Sequence, residues 1–78
     1  MNTLINNELI FANGVRFSED MIIVSLADGR EVSVPLAWFP RLHKANQKQL
    51  SNWRFIGKGQ GIHWEELDED ISVETLLR

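Results

Sequence analysis

The chain has 78 residues, which is the size of one small domain, and its 44% hydrophobic content excludes a disordered polypeptide. The formal net charge of −3 argues against non-specific nucleic-acid binding, and the absence of cysteine excludes disulfides and thiolate metal sites and fits a reducing cytoplasm. We expect no signal peptide and no membrane span, because no apolar run approaches about 18 residues.

The first part of the chain predicts antiparallel strands. Residues 1–8 are polar, and we expect them to be loosely held. Residues 9–12 are expected either to form a first strand or to lead into one, with a turn or bulge at Asn13-Gly14. The apolar, β-branched segment 21–26 predicts the next strand.

The hairpin around Asp28-Gly29 has two possible registers. A two-residue loop would place Val24 opposite Ser33 and would put the apolar residues of the two strands on opposite faces. A three-residue loop places Val24 opposite Val32 instead. The apolar residues that then share one face are Ile22, Val24, Leu26, Val32 and Val34. Burial therefore selects the three-residue loop, with Gly29 in the left-handed conformation.

The middle of the chain predicts short helices. The aromatic segment 36–42 is bracketed by prolines and indicates a helical turn or a short helix whose aromatic side chains cover the sheet. Asn46 with Gln49 resembles a capping box, and a helix of about two turns is expected to reach Trp53.

The last part of the chain predicts a second hairpin and a final helix. Strands are expected at 53–56 and 62–64, and the glycine-rich segment 57–61 is a turn rather than a phosphate loop, because no helix follows it. The acidic run 65–70 predicts an exposed turn. After it, Ser72 is expected to cap a helix that packs through its leucines, Leu76 and Leu77.

Together these elements predict an α+β fold. We expect a small two-layer single domain over residues 1–78, with a mostly antiparallel sheet of four to five strands and two or three short helices on one face.

Three motifs carry a resemblance to a known family. They are Asp28-Gly29-Arg30, the segment from Val34 to Leu42, and the segment from Gly61 to Leu77. With them, the chain resembles the bacterial domain of unknown function 2442 family. The resemblance implies a small α+β domain without an established biochemical activity. Members are often encoded beside the domain of unknown function 4160 family, in an arrangement like toxin–antitoxin pairs, which implies a protein partner encoded by a neighbouring gene. Some relatives add a C-terminal helix-turn-helix, which we do not expect here.

Catalytic and metal chemistry find little support in the sequence. His43 has no neighbouring nucleophile or orienting carboxylate in the sequence. His63 with Glu65, Glu66 and Asp68 lacks the spacing from rigid elements that a zinc or manganese site needs. We therefore predict no enzyme, no metal and no cofactor.

A partner-binding surface is the remaining hypothesis. The candidate residues are Trp38, Arg41, Trp64, Glu65, Asp68 and Asp70. Tryptophan and arginine are frequent hot spots of protein interfaces, although most aromatic residues of so small a chain are expected in the core. Arg41 is expected within salt-bridge distance of Asp68 or Asp70, which would tie the aromatic turn to the acidic stretch.

These observations predict a non-enzymatic, cytoplasmic protein-interaction module, antitoxin-like by resemblance, with no direct binding to nucleic acid or membranes. The alternative is an acidic decoy, in which the run from Glu65 to Asp70 mimics phosphates and occupies the surface of a nucleic-acid-binding protein.

Overall fold

A computed structural model describes residues 10–77, so the expectations for residues 1–8 and for Leu9 lie outside the described residues. The strands are β1 (Ala12–Ser18), β2 (Met21–Leu26), β3 (Glu31–Pro35), β4 (Trp53–Ile56), β5 (Gly61–Trp64) and β6 (Glu69–Ser72). The helices are a 3-10 helix (Leu36–Trp38), α1 (Pro40–His43), α2 (Gln47–Leu50) and α3 (Val73–Leu76). None of the helices in this range is long and apolar enough to cross a membrane.

The described strands form two antiparallel sheets, ordered β1-β2-β3 and β4-β5-β6. The predicted α+β class is confirmed, whereas the prediction of one sheet with four to five strands is wrong, because the described strands form two sheets of three. The additional strand is β6, because the acidic turn ends at Asp68 and residues 69–72 pair with β5. In β6 Ile71 is buried opposite Ile62, while its neighbours Asp70 and Ser72 are exposed, so apolar burial outweighs the turn preference of the charged run.

The β2–β3 hairpin has the register that burial selects. Val24 lies opposite Val32 and Ile22 opposite Val34. Gly29 has a φ of 100°, and its N–H donates to the carbonyl of Leu26 at 3.0 Å. The sequence prediction for this hairpin is therefore confirmed in both register and turn.

The Asn13-Gly14 signal is a β-bulge. Ala12 lies opposite Leu26 and Gly14 opposite Ser25, which leaves Asn13 as an extra residue in β1. In a regular strand Ala12 and Val15 would point to opposite faces. The bulge restores the phase, so that Ala12 is buried and Val15 also packs against the core.

One core joins the two sheets and the helices. Its largest fully buried side chains are Trp64, Ile22, Leu42, Ile62 and Val24. Every buried residue among those described is hydrophobic or glycine. Burial of apolar area therefore holds the layers together, and polar groups are left to the surface.

Helix α2 begins at a true capping box and is shorter than the sequence predicts. The Gln49 N–H donates to Asn46 Oδ1 at 2.8 Å, and the Asn46 N–H donates to Gln49 Oε1 at 3.0 Å. The helix ends at Leu50, whose carbonyl accepts a hydrogen bond from the Trp64 indole N–H at 3.0 Å. The predicted helix of about two turns is wrong, since this long-range bond satisfies a carbonyl at the helix end.

Helix α3 has the predicted cap. The Thr75 N–H donates to Ser72 Oγ at 3.1 Å, Leu76 is buried, and Leu77 is partly buried against the core. The predicted docking of this helix through both leucines is confirmed.

The β4–β5 turn connects the first sheet to the last helix. The Ala12 N–H donates to the carbonyl of Gly59 at 2.7 Å, and the Val73 N–H donates to the carbonyl of Gln60 at 2.9 Å. Gly59 is buried with a φ of 108°, and a Cβ there would lie 2.3 Å from the Ala12 carbonyl oxygen. Only glycine fits so close an approach.

Gly29 and Gly59, which both lie in turns, give a matched test of this contact. Both have positive φ, but a Cβ at Gly29 would meet no atom within 4 Å. We expect Gly29→Ala to lower the free energy of unfolding by about 1 kcal/mol and Gly59→Ala by about 2 kcal/mol or more, because the second also displaces Ala12. Urea denaturation of both variants measures the difference, and equal losses would contradict the close-packed turn.

Docking of α3 can be tested in the same way. Leu76→Ala should lower the free energy of unfolding by about 2–5 kcal/mol, since it leaves a cavity in the core. Leu77→Ala, at a partly exposed position of the same turn, is the control and should cost less. A Leu76→Ala melt that matches wild type would show that the helix is only loosely attached.

Candidate functional site

The turn from Glu65 to Asp68 joins β5 to β6 and lies at the centre of the candidate site. Asp68 has a φ of 53°, a left-handed conformation that aspartate tolerates better than bulkier residues, and its N–H donates to the carbonyl of Glu65 at 3.3 Å. Leu67 packs against the core and anchors the turn. The anchored turn holds its remaining side chains towards solvent.

Arg41 of α1 contacts the turn as predicted. Its Nη1 donates to the Asp68 carbonyl at 2.5 Å and lies 3.7 Å from Asp68 Oδ2. The two side chains are 58% and 94% exposed, so the ion pair itself adds only about 0–1 kcal/mol. Its effect is to orient α1 and the turn relative to each other.

A second contact ties α2 to the same turn. Gln49 Nε2 donates to Glu66 Oε2 at 2.9 Å, while its Oε1 completes the capping box with Asn46. One side chain therefore begins the helix and holds the turn. The sequence indicated only the first of these roles.

The two candidate tryptophans have opposite environments. Trp38 ends the 3-10 helix and is 66% exposed. Trp64 lies in the central strand of its sheet, is fully buried, and donates its indole N–H to Leu50. The partner-binding assignment of Trp64 is therefore corrected to a core role, because no indole surface is left for a partner.

A row of polar side chains crosses the solvent face of the second sheet. Arg54 of β4 is opposite His63 of β5, which is opposite Asp70 of β6. His63 Nδ1 contacts Asp70 Oδ1, and His63 Nε2 lies 3.0 Å from Glu65 Oε1. Arg54 Nη2 donates to the same Glu65 oxygen at 3.1 Å. The row thus links three strands and the first residue of the turn.

The carboxylates of this row hold the pKa of His63 above its ordinary value of 6.5. The larger cause is the hydrogen bond with Asp70, followed by the one with Glu65. Both ring nitrogens can donate only in the imidazolium form, which is the form that two flanking carboxylates favour.

The described residues offer shallow surfaces rather than a ligand cage. Two hollows of about 360 and 390 Å³ lie along the row, and both are lined by Arg54 and His63. Between residues 10 and 77, no group of three or more His, Asp or Glu side chains is arranged to hold a metal ion.

A family model described as "Protein of unknown function (DUF2442)" matches residues 12–78. The chain belongs to this family. A crystal structure of a protein of unknown function from Rhodospirillum rubrum is 31% identical, with a TM-score of 0.75, and the match covers 87% of this chain and 84% of that one. A solution NMR structure of an uncharacterized protein from Chromobacterium violaceum is 26% identical, with a TM-score of 0.76, over 95% of this chain and 70% of that one. No curated protein matches the chain.

In this DUF2442 protein the structure brings some predicted site residues together and separates others. Arg41 and Asp68 meet at the turn, whereas Glu65 and Asp70 belong to the polar row on the sheet. Sequence reasoning missed Arg54 and the pairing of His63. The signal was the alternation of Asp70, Ile71 and Ser72, which is typical of a half-buried strand and, with the β4–β5 hairpin, aligns the three residues of the row.

The raised pKa of His63 makes stability depend on pH. A group whose pKa is higher in the folded state stabilises that state fully below its unfolded value, here near 6.5, and the contribution is lost as pH rises through the folded pKa. We expect the stability difference between wild type and His63→Gln to be larger below pH 6.5 than above the folded pKa. Urea denaturation of both proteins across this range measures it, and a constant difference would contradict the assigned pKa shift.

Proposed function

We propose that this DUF2442 protein is a non-enzymatic, cytoplasmic protein-interaction module whose partner binds the Trp38 surface. We define the Trp38 surface as Trp38, Arg41 and the turn from Glu65 to Asp68. The observation that carries the proposal is the exposed indole of Trp38 beside the helix that presents Arg41.

The chemistry of this surface suits a protein partner. Tryptophan and arginine dominate interface hot spots, because a large rigid ring buries much apolar area and a guanidinium offers five donors. Arg41 uses Nη1 towards Asp68 and remains 58% exposed, so it keeps donors for a partner. The turn contacts hold α1 in place before binding, which lowers the ordering cost of association.

The antitoxin-like role and a partner encoded by a neighbouring gene are supported by the family resemblance alone. A cytoplasmic location is supported by the absence of cysteine from the sequence. These parts of the proposal are independent of the Trp38 surface and need their own tests.

The acidic decoy is less well supported than a mixed-charge interface. Glu65 pairs with Arg54 and His63, and Asp68 pairs with Arg41. These cationic partners offset part of the negative field that phosphate mimicry requires. A decoy would nevertheless show a distinct signature, namely competition with nucleic acid and a steep dependence on salt.

The Trp38 surface predicts a specific pattern of binding losses. With a partner purified from the native host, Trp38→Ala should weaken the affinity by about 2 kcal/mol or more, roughly thirtyfold, and Arg41→Ala should weaken it less. Calorimetry or surface plasmon resonance measures both, with circular dichroism to establish that the variants are folded.

Arg16→Ala is the matched control for Arg41→Ala. Arg16 is also 58% exposed and ion-paired, with Glu31 at 2.6 Å, but it lies on the first sheet. It should leave the affinity unchanged. Wild-type affinity in Trp38→Ala and Arg41→Ala would refute the proposed surface, and displacement of the partner by nucleic acid would favour the decoy.

A further inference from the structure

His63 is held between two carboxylates that belong to different parts of one hairpin. Asp70 lies on the returning strand β6, and Glu65 is the first residue of the turn. A single imidazole in β5 therefore contacts both the opposite strand and the turn on the solvent face of the hairpin. This arrangement is independent of Trp38 and of α1.

The number of protons on the imidazole decides how many of these contacts are attractive. The imidazolium has two N–H donors, one for each carboxylate. Neutral imidazole has one N–H, so its other nitrogen would present a lone pair to the lone pairs of an oxygen. Loss of one proton therefore turns one of the two hydrogen bonds into a repulsive contact.

We propose that His63 acts as a pH-dependent clamp. When both ring nitrogens carry a proton, His63 holds Asp70 and Glu65 by hydrogen bonds, and when one proton is lost it releases Glu65. Asp70 is retained because it is the cross-strand partner of His63, so the pairing of β5 with β6 keeps it beside the ring. Glu65 is released because Arg54 offers it an alternative donor on the same oxygen.

Among residues 10–77, three charged groups belong to the hydrogen-bond network around the ring. They are Arg54 from β4, Glu65 from the turn and Asp70 from β6. Two carboxylates favour the imidazolium, and the Arg54 guanidinium donates to Glu65 rather than to the ring. The balance favours a proton, in agreement with the raised pKa of His63.

Release of the Glu65 carboxylate is expected to change the order of the turn that contains Asp68. The backbone carbonyl of Glu65 accepts the N–H of Asp68, so a backbone change at Glu65 that follows release of its carboxylate would reach the residue that Arg41 holds. We expect the turn to be best ordered when His63 is protonated. The consequence for partner binding, tighter at acidic pH, rests on the proposed function.

The clamp itself is tested on the full chain without a partner. NMR follows the His63 ring and the backbone amides of residues 65–68 from about pH 5.5 to about pH 8.5. We expect the ring and the turn amides to titrate with one common midpoint above 6.5, and Asp70→Asn to lower that midpoint. His63→Gln should abolish the response of the turn, whereas His43→Gln should preserve it. Two results would overturn the clamp. One is that the turn amides titrate in the same way in wild type and His63→Gln, and the other is that their midpoint differs from that of the His63 ring.

The link to binding is tested separately. Wild-type affinity for the partner should be roughly fivefold or more higher at about pH 6 than at about pH 8, and His63→Gln should lose this ratio. If the turn amides titrate with His63 but the affinity for the partner is equal at both pH values, the regulatory step is wrong. The proposed Trp38 surface would not be affected by that result. Unchanged binding by Trp38→Ala would instead remove the proposed function and leave the clamp intact.

Discussion

The candidate site depends on the burial of Trp64 in the central strand of the second sheet. Since neighbouring residues of a strand point to opposite faces, an inward Trp64 sends His63 outward into the polar row. The same indole donates to the carbonyl of Leu50 and so fixes where α2 ends. That position brings Gln49 to the turn. A fully buried indole whose N–H is satisfied thus stabilises the core and sets the geometry of the surface.

The turn after Trp64 is held from two sides by contacts that are individually weak. Arg41 and Gln49 hold it from the helices, and His63 holds its first residue from the sheet. Exposed pairs of this kind add little to stability, and their value lies in restricting orientation. The turn can therefore respond to the loss of one contact without unfolding of the domain, because Leu67 keeps it attached to the core.

How much the sequence predicts depends on whether the deciding interaction is local. The β2–β3 register followed from alternation alone, and the caps at Asn46 and Ser72 followed from side chains within three residues of them. The early end of α2 did not follow, since the Trp64 indole that satisfies Leu50 comes from a distant strand. Strand β6 was hidden because a run of acids favours a turn. The buried residue that outweighs this preference, Ile71, finds its partner Ile62 only when the strands are aligned.

The packing around the 3-10 helix explains why Trp38 is exposed, whereas Trp64 is buried. Leu36 begins the 3-10 helix and Phe39 follows its end, and both pack against the core. Trp38 between them is left exposed. A domain of this size buries only about 60% of its unfolded surface and cannot cover every aromatic ring. The fold therefore leaves Trp38 without an internal role, and a partner that covers it is the physical explanation that we favour.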